Sequence, residues 1–133
     1  MKTITVLDEA DVAGMIEAAA KEARKNDWRV SVAVVDNGGH LLGFLRQDGV
    51  HPATAQVAIE KARTAAQFGA PTGALEDRVG GRPAMVLLPG ATLLRGGLPV
   101  QQGGGVAGAI GISGLAPDQD EQVAAAAVAA IGC

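Results

Sequence analysis

The sequence predicts a layered α+β domain in which helices cover the faces of an antiparallel sheet. Three observations carry that reading. Apolar residues at helical spacing near both ends and in the middle of the chain alternate with stretches of two-residue period. Those stretches are joined by glycine turns far too short for a parallel crossover, at Asn37-Gly38 and at Gly103-Gly104-Gly105. Finally, 48% of the 133 residues are hydrophobic, ample for one core and too few residues for two.

From Asp8 to about Asn26, Val12, Met15/Ile16, Ala19/Ala20 and Ala23 recur at helical spacing, with Asp8 placed as N-cap and Asp11 near the first turn. The period then changes to two over Arg29–Asp36 and Gly39–Arg46, and Asn37-Gly38 between them is a strong hairpin signal. His51–Gly69 reads as a second helix, with Pro52 at its first turn and Gly69 at its end, and Thr72–Val79 as a short third. Met85–Leu88, entered through Gly80-Gly81-Arg82-Pro83 and left at Pro89-Gly90, reads as a short strand; Ala91–Arg95 gives no defined pattern. Leu98–Gln102 and Val106–Ser113 read as two further strands, and Asp118–Ile131 as a final Ala-rich helix. The order is therefore helix, two strands, helices, three strands, helix, forming a single domain over residues 1–133.

Composition excludes several functions. With 11 Lys+Arg against 14 Asp+Glu, a net charge of -3, and only Trp28, Phe44 and Phe68 as aromatics, both the basic surplus and the stacking platforms of a nucleic-acid-binding protein are missing. No apolar run approaches the ~20 residues of a membrane span, and no signal peptide is visible, so the expected location is the cytoplasm. Cys133 is the single cysteine, which excludes an internal disulfide and any Cys-x-x-Cys pair. With 19 glycines and almost no aromatics, the core must be built from small aliphatic residues at close backbone distances.

A two-residue loop at Asn37-Gly38 would pair Asp36 with Gly39, Val34 with Leu41 and Val32 with Gly43, giving one apolar face. The other face would carry Arg29, Ser31, Ala33 and Val35 beside His40, Leu42, Phe44 and Arg46. That register sets Arg29 opposite Arg46, a like-charge pair that an anionic ligand would relieve; splayed into water or buried at a subunit contact, the two need no ligand. Lys61 has Val57, Ala58 and Ala65 one turn away, so its stem runs along an apolar stripe. Its ammonium either enters a pocket, to bind a carboxylate or phosphate, or snorkels to solvent. Glu60 and Arg63 read as a surface ion pair.

His40 and His51 are the two imidazoles, and no zinc or calcium spacing surrounds them. Either could ligate a heme iron, for which one axial imidazole is enough, or could simply flank a strand or open a helix. Gly103-x-Gly105-x-x-Gly108 has dinucleotide-fingerprint spacing but runs into a strand rather than a helix, so it reads as a glycine turn. The Ala107, Ala109, Gly111 and Ser113 face of that strand is small enough for a helix or a subunit to approach closely. Ser113 lacks a nucleophile elbow and a paired base.

Val32-Ala33-Val34-Val35-Asp36-x-Gly38-Gly39-His40-Leu41-Leu42, Arg46-x-Asp48-Gly49, Lys61-Ala62-Arg63-Thr64-Ala65, Gly96-Gly97-Leu98-Pro99 and Gly108-Ala109-Ile110-Gly111-Ile112-Ser113-Gly114 together resemble the GlcG/HbpS family of small heme-binding-like proteins. Gly80-Gly81-Arg82-Pro83 and Asp118-Gln119-Asp120-Glu121-Gln122-Val123 are similar to the C-terminal domain of PduO, which that family includes. The resemblance implies a profilin-like, three-layer α/β/α sandwich on a five-stranded antiparallel sheet, assembly into dimers or larger rings, and heme as a ligand of some members.

The expected function is that of an oligomeric, cytoplasmic small-molecule-binding protein. Its ligand would be heme or another carboxylate-bearing metabolite, held by Arg46, Asp48, Lys61 and His40, with His40 as axial ligand to a heme iron and no other metal site. The alternative is a cofactor-free catabolic enzyme of lyase or isomerase type using the same charged pocket. There Asp48 or His40 would transfer the proton, and Lys61 would stabilise an anionic intermediate. A purely structural oligomerisation module is the third possibility.

Overall fold

In the computed structural model of the chain, which describes residues 1–133, helix α1 (Glu9–Lys25) begins at a reciprocal cap. The Asp11 N–H donates to the Asp8 carboxylate at 2.8 Å, and the Asp8 N–H donates to that of Asp11 at 3.0 Å. Val12, Met15, Ala19, Ala20 and Ala23 form its buried stripe, as the spacing requires. Strands β1 (Ser31–Asp36) and β2 (Leu41–Arg46) follow as an antiparallel hairpin.

The hairpin loop is longer than the two residues expected. The Asp36 N–H donates to His40 O at 2.8 Å and the Gly39 N–H to Asp36 O at 3.1 Å, so Asn37, Gly38 and Gly39 form the loop, with Gly39 at φ 93°. The Asp36 carboxylate stabilises this arrangement by accepting from the N–H groups of Gly38 and His40, both at 2.9 Å. An irregularity leaves Leu42 as an extra residue on β2, so Val34 pairs with Gly43, Val32 with Leu45, and Ser31 with Arg46. The expected confrontation of Arg29 and Arg46 does not form: Arg29 precedes the strand and donates to Trp28 O at 2.9 Å.

Helices α2 (Ala53–Phe68) and α3 (Thr72–Val79) match expectation, α2 ending at Gly69 in the left-handed region (φ 62°). Met85–Leu88 does not form a strand. Pro83–Leu87 is a 3₁₀ turn with Pro83 in its first turn, closed by the Leu88 N–H to Met85 O at 3.1 Å. Val86 and Leu87 stand in solvent, and no sheet edge pairs with them. Strands β3 (Gly97–Gln102) and β4 (Gly105–Ser113) and helix α4 (Pro117–Ala130) complete the chain. The sheet thus has four strands rather than five, in the order β2-β1-β4-β3, every neighbouring pair antiparallel.

Two hydrophobic layers sandwich that sheet. On one face α1 and α4 bury Met15, Ala19, Val123 and Ala127 against Val30, Val32, Val34, Ile110 and Ile112. On the other, Ala58, Ala62, Ala65 and Ala66 of α2 lie on Ala33, Val35 and Ala109. The expected close approach over the small strand face is made within the chain, by α2. A Cβ on Gly111 would run into the Ala58 carbonyl and the Ala62 nitrogen, and one on Gly97 into the Lys61 carbonyl. Ala107 departs from that face: it is the extra residue where β4 pairs with β3, and it joins the α1/α4 layer instead.

Candidate functional site

The register of the hairpin leaves one side of β2 uncovered. Directly paired residues project to the same face of a sheet. Leu41 pairs with Val35, Phe44 with Ala33 and Arg46 with Ser31, so all three belong to the face on which α2 packs. But α2 lies over β1, β4 and β3 and stops short of the edge strand. Leu41 is therefore 51% exposed, Leu42 45% and Phe44 37%. An edge strand presenting three adjacent large apolar side chains to water is a surface that soluble domains ordinarily cover or charge.

Arg46 ends this surface on the same face, whereas His40, paired with Asp36 beside the loop, projects to the α1/α4 side of the sheet. The His40 imidazole is largely exposed, with Nδ1 3.3 Å from the Asp36 carboxylate. With Nδ1–H donating to that carboxylate, Nε2 carries the free lone pair, the arrangement by which a carboxylate orients an imidazole ligand. Burial works to raise the Asp36 carboxyl, but the N–H groups of His40 and Gly38 and the nearby imidazole outweigh it and hold the group below its ordinary 3.8. Asp36 therefore remains an anion beside His40. Arg46, at the other end of β2, is exposed and makes no salt bridge, and Asp48 is equally exposed in the turn that follows. His51 is exposed just ahead of α2. No group of three His, Cys, Asp or Glu side chains gathers in a form that could hold a metal ion. A ligand that brings its own metal needs only the one imidazole.

Lys61 is not part of that surface. It is 4% exposed, and its ammonium donates to the Asp120 carboxylate and to Ile112 O, each at 2.9 Å. The carboxylate expected to meet Lys61 is thus the chain's own, supplied by the first turns of α4. Asp120, 3% exposed, also accepts from the Leu115 N–H at 3.1 Å. The pair ties α2 to α4 from opposite layers, past Gly96, where a Cβ would lie 2.9 Å from the Lys61 nitrogen. Burial pushes the Asp120 carboxyl up to about 6, against the lowering pull of the Lys61 ammonium and the Leu115 N–H. The chain does not bring Arg46, Asp48 and Lys61 into one pocket, so the acid/base arrangement that needs Lys61 beside Asp48 or His40 is not formed within it.

Sequence reasoning places the Lys61 stem on its apolar stripe but misses Asp120. That residue sits in an acidic run, Asp118-Gln119-Asp120-Glu121, which reads as a solvated helix start. The available signal is its spacing, since Val123, Ala124 and Ala127 fall three, four and seven residues later and put Asp120 on the buried stripe of α4.

A family model described as "Haem degrading protein HbpS-like" matches residues 7–129. Protein GlcG of Escherichia coli (strain K12) is 46% identical over 114 residues, 85% of each chain. The crystal structure of HbpS superposes with a TM-score of 0.93 at 37% identity, covering 100% of this chain and 95% of that one. The crystal structure of a PduOC:heme complex does so with a TM-score of 0.88 at 28% identity, covering 96% of each. The match takes in every helix and strand of the sandwich except the last residue of α4, and the chain belongs to the HbpS-like family.

Proposed function

We propose that this protein is a cytoplasmic, homo-oligomeric small-molecule-binding protein whose ligand is heme or another carboxylate-bearing metabolite, bound across the open face of β2. The observation that carries the reading is the uncovered apolar run Leu41, Leu42 and Phe44 with the unpaired Arg46 guanidinium on the same face, the His40 imidazole standing at the loop edge of the strand. The family model's description and the heme complex of PduOC support heme as the ligand class.

In this reading the donor set fits a flat apolar ring with carboxylate arms. Leu41, Leu42 and Phe44 receive the ring, and Arg46 pairs with a carboxylate, where a guanidinium gives bidentate contact. His40 would offer Nε2 to iron only from the loop edge of β2, with Asp36 holding the ring's other nitrogen. Asp48 lies at the rim, and Lys61 acts from within, positioning α2 beside the sheet. Bound heme supplies a redox-active iron; the chain supplies orientation and a dry surface.

Titration with hemin is expected to give a saturable Soret band that His40→Ala abolishes and His51→Ala leaves in place. Equal loss in both variants contradicts the His40 assignment. Phe44→Glu, which puts a charge where the ring would lie, is expected to weaken binding without unfolding the domain.

Self-association is supported by the same open edge and by Ala125, Ala129 and Ala130, which leave the outer side of α4 small and exposed. Light scattering at micromolar concentration is expected to give a mass of two or more subunits. A monodisperse species near 13.3 kDa excludes the oligomer.

A further inference from the structure

A second site lies away from β2, between α3 and the 3₁₀ turn. A cleft of about 580 Å³ opens there, lined by Asp77, Arg78, Arg82, Ala84, Met85 and Leu88. The helical path continues past α3: Gly80 keeps helical angles, and the Arg82 N–H donates to Arg78 O at 3.0 Å. Arg82 itself leaves the helical path (φ −148°), but it lines the same cleft as Arg78, and the two like charges repel unless something neutralises them.

Nothing in the chain does so. Neither Arg78 nor Arg82 makes a salt bridge or a side-chain hydrogen bond, whereas Arg95 nearby is saturated. Asp77, the one acid lining the cleft, has both oxygens held by Arg95 at 2.7 and 2.8 Å. Two free guanidiniums thus face a floor of Ala84, Met85 and Leu88, and Pro83 in the turn's first position fixes that floor. Small-molecule sites combine an apolar lining with a few convergent polar groups in this way.

We propose that this cleft binds a small monocarboxylate with a short aliphatic chain, the carboxylate between Arg78 and Arg82 and the chain on Met85 and Leu88. The site is independent of the β2 surface and shares no residue with it. Isothermal titration of the intact protein with hexanoate, acetate and inorganic phosphate tests it. Hexanoate is expected to bind with 1:1 stoichiometry, and acetate and phosphate roughly tenfold more weakly or not at all, because they lack the apolar chain.

Arg78→Gln and Arg82→Gln are each expected to weaken hexanoate about tenfold or more, and Leu88→Asp to abolish its binding, while hemin titration of the two arginine variants stays as in the parent. Unchanged hexanoate affinity in the double glutamine variant, or phosphate binding as tightly as hexanoate, overturns the assignment. So does the absence of any hexanoate binding at millimolar concentration. None of these outcomes bears on hemin, so failure here and failure at β2 are distinguishable.

Discussion

Replacing Lys61 with methionine is expected to destabilise the protein by about 3–5 kcal/mol at pH 8, the usual cost of removing one partner from a buried ion pair. The substitution keeps the aliphatic stem on the stripe and deletes the charge that Asp120 faces at 2.9 Å. The loss depends on pH in a direction that follows from Asp120. Its carboxyl is raised in the folded state from 3.8 to about 6, so between those values the folded protein binds more protons than the unfolded chain. The contribution of this group to stability is fully present below pH 3.8 and is lost as pH rises through about 6.

Without the ammonium, Asp120 is raised further, because burial is no longer opposed by the Lys61 charge. The gap in melting temperature between parent and Lys61→Met is thus expected to be small near pH 5 and to widen to on the order of 10 °C or more by pH 8. Adding Asp120→Asn, whose side-chain oxygen still accepts from the Leu115 N–H, is expected to recover most of the loss at pH 8 and to flatten the profile between pH 4 and 6. A pH-independent gap would mean that the pair does not control stability.

Gly111→Ala is the second large effect. The new Cβ would meet backbone atoms of Ala58 and Ala62, which cannot rotate away, so α2 must lift off β4 and open the alanine layer. The expected loss is on the order of 3 kcal/mol or more, an overpacking cost at the upper end of its range. Gly105→Ala, in the same strand but with no atom within 4 Å of where its Cβ would stand, is expected to change stability by less than about 0.5 kcal/mol. Urea denaturation of both variants checks the contrast, and equal midpoints would show that α2 does not rest on β4 through glycine.

What can be read from the sequence is set by local chemistry. The Asp8–Asp11 cap, the stripe of α1, the Gly69 stop and the four paired strands all write their signals within a few residues of where they act. Met85–Leu88 reads wrongly as a strand because a four-residue apolar run has no period of its own, and whether it becomes strand or 3₁₀ turn depends on a sheet edge being within reach. The fifth strand implied by the family resemblance has no counterpart in the four-stranded sheet.

Local pattern sets Arg46 opposite the wrong residue because Asn-Gly usually makes a two-residue loop, whereas here a three-residue loop held by the Asp36 carboxylate and the bulge at Leu42 each move the register by one. The partner of Lys61 lies 59 positions away, beyond any local pattern. The open face of β2 is legible only as composition: His40, Leu42, Phe44 and Arg46 read as one mixed surface, while the limit of α2 that exposes it is a property of the packed layers.

Binding of a carboxylate-bearing ring across β2 is the proposed function. It is tested most directly by ¹⁵N amide NMR of the protein during titration with gallium protoporphyrin, a diamagnetic stand-in for heme. Saturable shifts centred on His40 to Arg46, absent in Phe44→Glu, are the predicted result. Saturation with β2 undisturbed and the shifts gathered elsewhere, around Arg78 to Leu88 or on α4, would contradict it.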